Sequence, residues 1–227
     1  MQQNRQTQLQ CLPGKVVTMR IDKDKIERRT MKVSVPDVEE RAEMEGTQPM
    51  IVEGYAVVYN SPQTYEFGEE TYTETIVRGA CDNSDMRRTV MRYNHEDSVF
   101  ALARTKNGSL QMVSDDYGLK IRAELIDTQS NRDVYKMIRS GLIDEMSFAF
   151  TVAPGGDEWT YSDDWKTVTR NISAIDVIYD VSAVDTGFYE NTSIYARAFD
   201  SVDALKEQAE KAKLELEKAR AIALAKV

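Results

Sequence analysis

Tyr117-Gly-Leu-Lys-Ile-Arg-Ala-Glu-Leu-Ile126 alternates apolar and polar side chains. Two residues later Thr128-Gln-Ser-Asn-Arg-Asp-Val-Tyr-Lys-Met-Ile-Arg-Ser-Gly141 abandons that period. A period of two lays one face of a strand on a core. In the second stretch Val134, Met137 and Ile138 share one helical face. Ser130 or Thr128 stands at its start, and Gly141 suits its C-cap. Leu142-Ile-Asp144 then leads into a strand from Glu145 to Val152, apolar except for a serine inside it, Ser147. A strand, one definite helix and a return to strand predict an α+β fold.

The same reading extends in both directions. Met50 to Asn60, Thr71 to Val77, Thr89 to Tyr93, Ser98 to Arg104 and Ser109 to Val113 read as strands. Ser61-Pro62 opens a loop that runs to Glu70, and Arg78 to Cys81 is a turn. Asp82 to Arg88 is expected to form a short helix capped by Asp82 or Asn83. Lys106-Asn-Gly108 signals a tight hairpin, and Asp115-Asp116 a second turn. Beyond the helix, Ala153 to Asp164 reads as a polar excursion. Trp165 to Arg170, Ala174 to Val184 and Thr192 to Arg197 read as further strands. Together these predict a mostly antiparallel sheet or barrel.

The flanks differ from this body. Residues 1-49 are expected to form a partly flexible N-terminal arm with strands at Lys15 to Ile21 and Met31 to Val35. The cations from Lys15 to Lys32 are interleaved with Asp22, Asp24 and Glu27, which predicts a solvated stretch. Residues 50-199 form the β domain, and 200-227 an amphipathic helix. In that tail Val202, Leu205, Ala209, Ala212, Leu216, Ala219 and Ala223 follow a spacing of three and four. Its seam is thin, because four of these seven are alanine.

Composition narrows the chemistry. The chain has 227 residues and a formal net charge of -9. Nucleic-acid phosphates repel such a protein, so no direct nucleic-acid contact is expected. No apolar run approaches the ~20 residues of a membrane span, and no secretory leader is expected. Cys11 and Cys81 form no CxxC pair, so neither a metal nor a cofactor is expected.

The single histidine, His95, lies in Thr89-Val-Met-Arg-Tyr-Asn-His-Glu-Asp97. A serine hydroxyl needs a neighbouring base, and imidazole, with an ordinary pKa of ~6.5, suits that task. His95 with Ser147 therefore forms one candidate pair. Cys81, near Arg78, forms another with the same histidine. Asp97, Glu96 and Asp144 are carboxylates that could orient the ring.

An ordered series of motifs adds to this. Glu53-Gly-Tyr-Ala-Val-Val-Tyr59, Glu74-Thr-Ile-Val-Arg-Gly-Ala80, Tyr93-Asn-His-Glu-Asp97, Ala103-Arg-Thr-Lys-Asn-Gly-Ser-Leu110 and Asp116-Tyr-Gly-Leu119 are followed by Ile138-Arg-Ser-Gly-Leu-Ile143, Met146-Ser-Phe-Ala-Phe150 and Tyr179-Asp-Val-Ser-Ala-Val184. In that order they resemble the prohead (head maturation) proteases of tailed bacteriophages, over about residues 50 to 195. The resemblance implies a β-barrel of the herpesvirus assembly-protease type with surrounding helices. It implies a serine endopeptidase that cleaves capsid scaffold, and itself, inside the prohead in the host cytoplasm. His95 matches the family's general base and Ser147 its nucleophile. The residue that orients the histidine falls at Asp180, where the family more often has Glu, and Ala103 stands where it has Gly. Ser182, two residues after Asp180 and on the same strand face, reads as structural. The implied partners are a scaffold protein, or the scaffold domain of a major capsid protein, other head-assembly subunits, and further copies of this chain. The alternative is a structural head protein that keeps the fold without the activity.

Overall fold

Alternating side chains can bury one face only by pairing edge to edge, and the chain does this in three hydrogen-bonded sheets. The computed structural model describes residues 26–31, 49–97 and 101–185, together with 210, 211, 214, 215 and 218. In chain order the first strands are β1 (Glu27–Met31), β2 (Met50–Val58), β3 (Gln63–Phe67) and β4 (Glu70–Ile76). Next come β5 (Val90–Tyr93), β6 (Ala103–Arg104), β7 (Leu110–Ser114) and β8 (Gly118–Leu125). Helix α1 (Gln129–Arg139) precedes β9 (Glu145–Val152), β10 (Asp157–Tyr161), β11 (Thr167–Ile172) and β12 (Ile175–Val184).

The sheet that matters most has the order β1-β9-β12-β5-β6. β9 pairs antiparallel with β1 on one side and with β12 on the other, while β5 runs parallel to β12. β9 is buried from Met146 to Thr151, as a central strand with both faces covered should be. Phe148 and Phe150 stack beneath it at 4.7 Å between ring centroids. A second sheet has the order β10-β11-β4-β3 and a third the order β2-β8-β7. β8 approaches β2 so closely that a Cβ at Gly118 would lie 2.0 Å from the Val57 carbonyl oxygen, so only glycine fits there.

The fold is mostly β, with one α-helix, α1, among the described residues up to 185. The expected closed barrel does not form there, because the three ladders stay separate. Between β11 and β12 the amides of Ser173 and Ala174 both donate to the Gly156 carbonyl, at 2.7 and 3.0 Å. That turn carries the chain from one sheet into the next without continuing either ladder.

Several elements match the sequence reading closely. α1 is capped by Thr128, whose hydroxyl accepts the Asn131 amide at 3.2 Å, and it buries Val134 and Ile138. Gly141 follows its end with φ 73°. At the β7–β8 turn, Asp115 Oδ1 accepts the amides of Tyr117 and Gly118 at 2.8 and 2.9 Å.

Other expectations need correction. Asp82 to Arg88 forms turns instead of a helix. Asp85 takes the Arg87 amide at 3.0 Å and so satisfies a local turn. Lys106-Asn-Gly108 joins β6 to β7 through a 3-10 turn, yet those strands pair with β5 and β8 and not with each other. The expected loop to Glu70 contains β3, and the polar excursion contains β10, both in hairpins. The expected strands at 15–21, 31–35 and 192–197 lie outside the described residues, Met31 excepted. Most of the tail does too, though its five described positions are helical.

The charged stretch before Lys32 departs furthest from expectation. It contributes β1, and Glu27, Arg29 and Thr30 are buried. Arg29 makes a two-pronged contact with Glu74, with Nη2 to Oε2 at 2.7 Å, and reaches Glu27 at 2.7 Å. Arg170 holds Glu27 with two nitrogens at 2.7 and 2.9 Å and takes Asp157 through Nε at 2.9 Å. The Tyr72 hydroxyl and Trp159 indole add bonds to Glu74 and Asp157 at 2.6 and 2.9 Å. Burial alone would lower the Arg29 pKa, but Glu74 and Glu27 hold it well above its ordinary value. Burial would likewise raise Glu74, and the two guanidinium groups pull it down instead. An isolated charge could not be buried here; this connected set can.

Candidate active site

The central sheet gathers three side chains that are far apart in sequence. Ser147 is the third residue of β9, and Ser182 lies opposite it in β12. Asp180 precedes Ser182 by two and projects to the same side of the strand. β5, on the far side of β12, ends at Tyr93 and delivers His95.

That delivery depends on an unusual turn. Asn94 and His95 both have left-handed backbones, with φ 49° and 57°. Asparagine tolerates this region and histidine does so less readily, at a cost of about 1–3 kcal/mol for a strained residue. The surrounding bonds hold the turn in place. The Asn94 amide donates to Ala183 O at 3.1 Å, and its side chain exchanges bonds with Asp185 at 3.1 and 3.3 Å. Tyr93 reaches the other Asp185 oxygen at 2.6 Å, and Arg92 holds Glu96 O at 3.0 Å.

The two ring nitrogens of His95 face different partners. Nδ1 is 2.5 Å from Asp180 Oδ1, and Nε2 is 2.6 Å from Ser147 Oγ. With its proton on Nδ1, the ring donates to the carboxylate and leaves the Nε2 lone pair for the serine hydroxyl. A base so placed can take the hydroxyl proton, and the carboxylate can stabilise the resulting imidazolium. All three groups are largely shielded, with the His95 side chain 14% and the Asp180 side chain 11% exposed. Ser147 Oγ also lies 3.0 Å from the Arg29 carbonyl oxygen of β1.

Ser182, read from sequence only as structural, touches two of these groups. Its hydroxyl donates to Asp180 Oδ1 at 2.9 Å, accepts the His95 amide at 3.2 Å and lies 3.2 Å from Nδ1. The spacing Asp-x-Ser on a strand was the available signal, since it puts both residues on one face.

The other candidates lie elsewhere. Asp97 pairs with Arg92 at 2.8 Å. Asp180 and Ser147 take both ring nitrogens, which leaves none for Asp144. Cys81 is fully buried, and burial pushes its thiol up to about 11, which works against a thiolate. Arg78, the proposed thiolate neighbour, pairs with Asp116 instead. Among the described residues no cluster of three or more His, Cys, Asp or Glu side chains could hold a metal ion. Nor is any described helix long and apolar enough to cross a membrane.

No curated protein and no solved structure matches the chain. The sequence profile of one family does, over residues 36–207, most of the length and all of the central sheet except β1. By that match the chain belongs to the Caudovirus prohead serine protease family.

Proposed function

We propose that the protein is a serine endopeptidase of phage head maturation, with Ser147 as nucleophile and His95 as general base. Asp180 positions the imidazole and balances its charge. The observation that carries this is the His95 ring between Ser147 Oγ and Asp180 Oδ1, with one nitrogen for each. In acylation the hydroxyl attacks a peptide carbonyl while its proton passes to Nε2. The imidazolium then protonates the departing amine, and water releases the acyl group by the reverse route. Aspartate, one methylene shorter than glutamate, reaches Nδ1 here, next to a register shift between Ile178 and Asp180 in the pairing of β12 with β9.

The proposed substrates are the capsid scaffold, as a separate protein or a domain of the major capsid protein, and the protease itself. The proposed place of action is the prohead interior. The tail at 200–227 serves as a handle on other head subunits, outside the β domain of 50–199.

Purified Ser147→Ala and His95→Ala should fold normally and leave scaffold uncut. A serine-directed phosphonate should label Ser147, as mapped by mass spectrometry. Scaffold processing at the wild-type rate by either variant would remove that residue from its role.

A further inference from the structure

β1 lies outside the segment matched to the family, yet it is the strand that flanks the nucleophile. Among the described residues it is the edge strand, antiparallel to β9, with Thr30 opposite Ser147 and Arg29 opposite Phe148. An extended peptide bound by strand addition would adopt this arrangement. Its backbone would pair with β9, and its side chains would point alternately to the two faces.

The details agree with a peptide held for cleavage. The Arg29 carbonyl oxygen is the β1 group that meets Ser147 Oγ, at 3.0 Å. The Arg29 side chain turns to the opposite face and is almost wholly buried against Glu74. Glu27, two residues earlier and on the same face, is gripped by both prongs of Arg170. If β1 were withdrawn, the pocket would retain Glu74 and Asp157 around the single guanidinium of Arg170. It would then be an acidic socket shaped for a planar, two-pronged cation.

We propose that β1 occupies the substrate cleft as an intramolecular substrate, that the Arg29–Thr30 bond is a self-cleavage site, and that Glu74 and Arg170 select Glu-x-Arg before the cut in other substrates. The proposal rests on Ser147 being the nucleophile. The hydroxyl now faces the carbonyl oxygen, so attack requires the peptide plane to turn its carbon toward Oγ. Oγ then bonds to that carbon and its proton moves to His95. The C–N bond to Thr30 breaks as the Thr30 nitrogen takes the proton, and water frees an Arg29 carboxylate and regenerates Ser147. Until the released strand leaves, it keeps the cleft filled.

The test incubates the purified full chain and follows it by intact mass and N-terminal sequencing. A product beginning at Thr30 is expected from wild type and not from Ser147→Ala. Because Arg29→Leu could loosen β1, specificity is read in trans. Peptides spanning Lys23 to Ser34, with Arg, Lys or Leu at the position of Arg29, are offered to the processed enzyme. Cleavage after Arg should exceed cleavage after Leu by roughly a hundredfold, because a buried polar socket rejects a ligand that leaves it unpaired. Lys should fall between them. Phosphonate labelling of Ser147 separates the two ideas. If Ser147 labels but the chain stays uncut at Arg29, or the Leu peptide is cut as fast, the proposal fails and the protease assignment stands. If Ser147 neither labels nor cuts any peptide or scaffold, both fail.

Discussion

Ser182 and His95 are joined at two points: the hydroxyl accepts the His95 backbone amide at 3.2 Å and stands 3.2 Å from Nδ1. Its own proton goes to Asp180 at 2.9 Å. One donor and two lone pairs exhaust what a hydroxyl offers, so none of its capacity is spare. Ser182→Ala should therefore lower kcat by roughly tenfold with KM nearly unchanged, the scale of one hydrogen bond to a charged group. Because His95 is the sole histidine, its ring signals in an NMR spectrum are assigned without ambiguity. They should show less of the Nδ1–H tautomer in the variant. Unchanged turnover together with an unchanged tautomer would leave Ser182 as packing only.

Asp180→Asn keeps the shape and reverses the hydrogen bond. The side-chain amide can donate to Nδ1, which moves the ring proton to Nε2, where it faces Ser147. Turnover should drop by roughly ten-thousand-fold while the denaturation midpoint moves little. A loss below about tenfold would show that the ring does not depend on this carboxylate.

Asn94→Ala removes both side-chain bonds to Asp185 and places alanine at φ 49°. The expected cost is about 1–3 kcal/mol of stability, read from urea denaturation. Activity should fall further than stability, because the same turn aims His95. An Asn94→Gly variant should recover part of the loss by tolerating the backbone.

Arg170→Met would leave Glu27, Glu74 and Asp157 with Arg29 alone. Breaking a buried charge set by removing one partner costs about 3–5 kcal/mol, which should appear as a large shift of the urea midpoint. The pH dependence follows from Glu74, whose pKa is held below its ordinary 4.5 by Arg29 and Arg170 against the pull of burial. A depressed folded value adds stability that is complete above the unfolded pKa and disappears as pH falls through the folded one. Wild type should thus lose stability steeply below about pH 4.5, and Glu74→Gln should flatten that slope. Equal slopes would remove Glu74 as its source.

The parts legible in the sequence were those set by local pattern. The alternation of 117–126, the change of period at Thr128 and the apolar run around Ser147 each fixed an element without help from elsewhere. His95 and Ser147 were legible because the chain holds one imidazole and because they fell within an ordered series of motifs. The role of β1 was not. Glu27, Arg28 and Arg29 read as a solvated run, since nothing local reveals that Glu74 and Arg170 wait for them across the fold. β3 and β10 were missed because each is only five residues long and rich in polar side chains, so that its hairpin partner, and for β10 the burial of Trp159 and Tyr161, becomes evident only in the fold. Ser182 was seen and underrated, because its partner His95 lies 87 residues away.

Ser147, Asp180 and the turn that holds His95 hang on three adjacent strands of one ladder, with β12 in the middle. Separating Ser147 from Asp180 means breaking the β9–β12 hydrogen bonds, which belong to the last part of a protein to exchange its amide protons. Amide exchange at the β9 and β12 positions that bond to each other should accordingly proceed only through global unfolding. Residual activity in denaturant should then follow the native population with no partly active intermediate, so that catalysis itself reports the folded fraction.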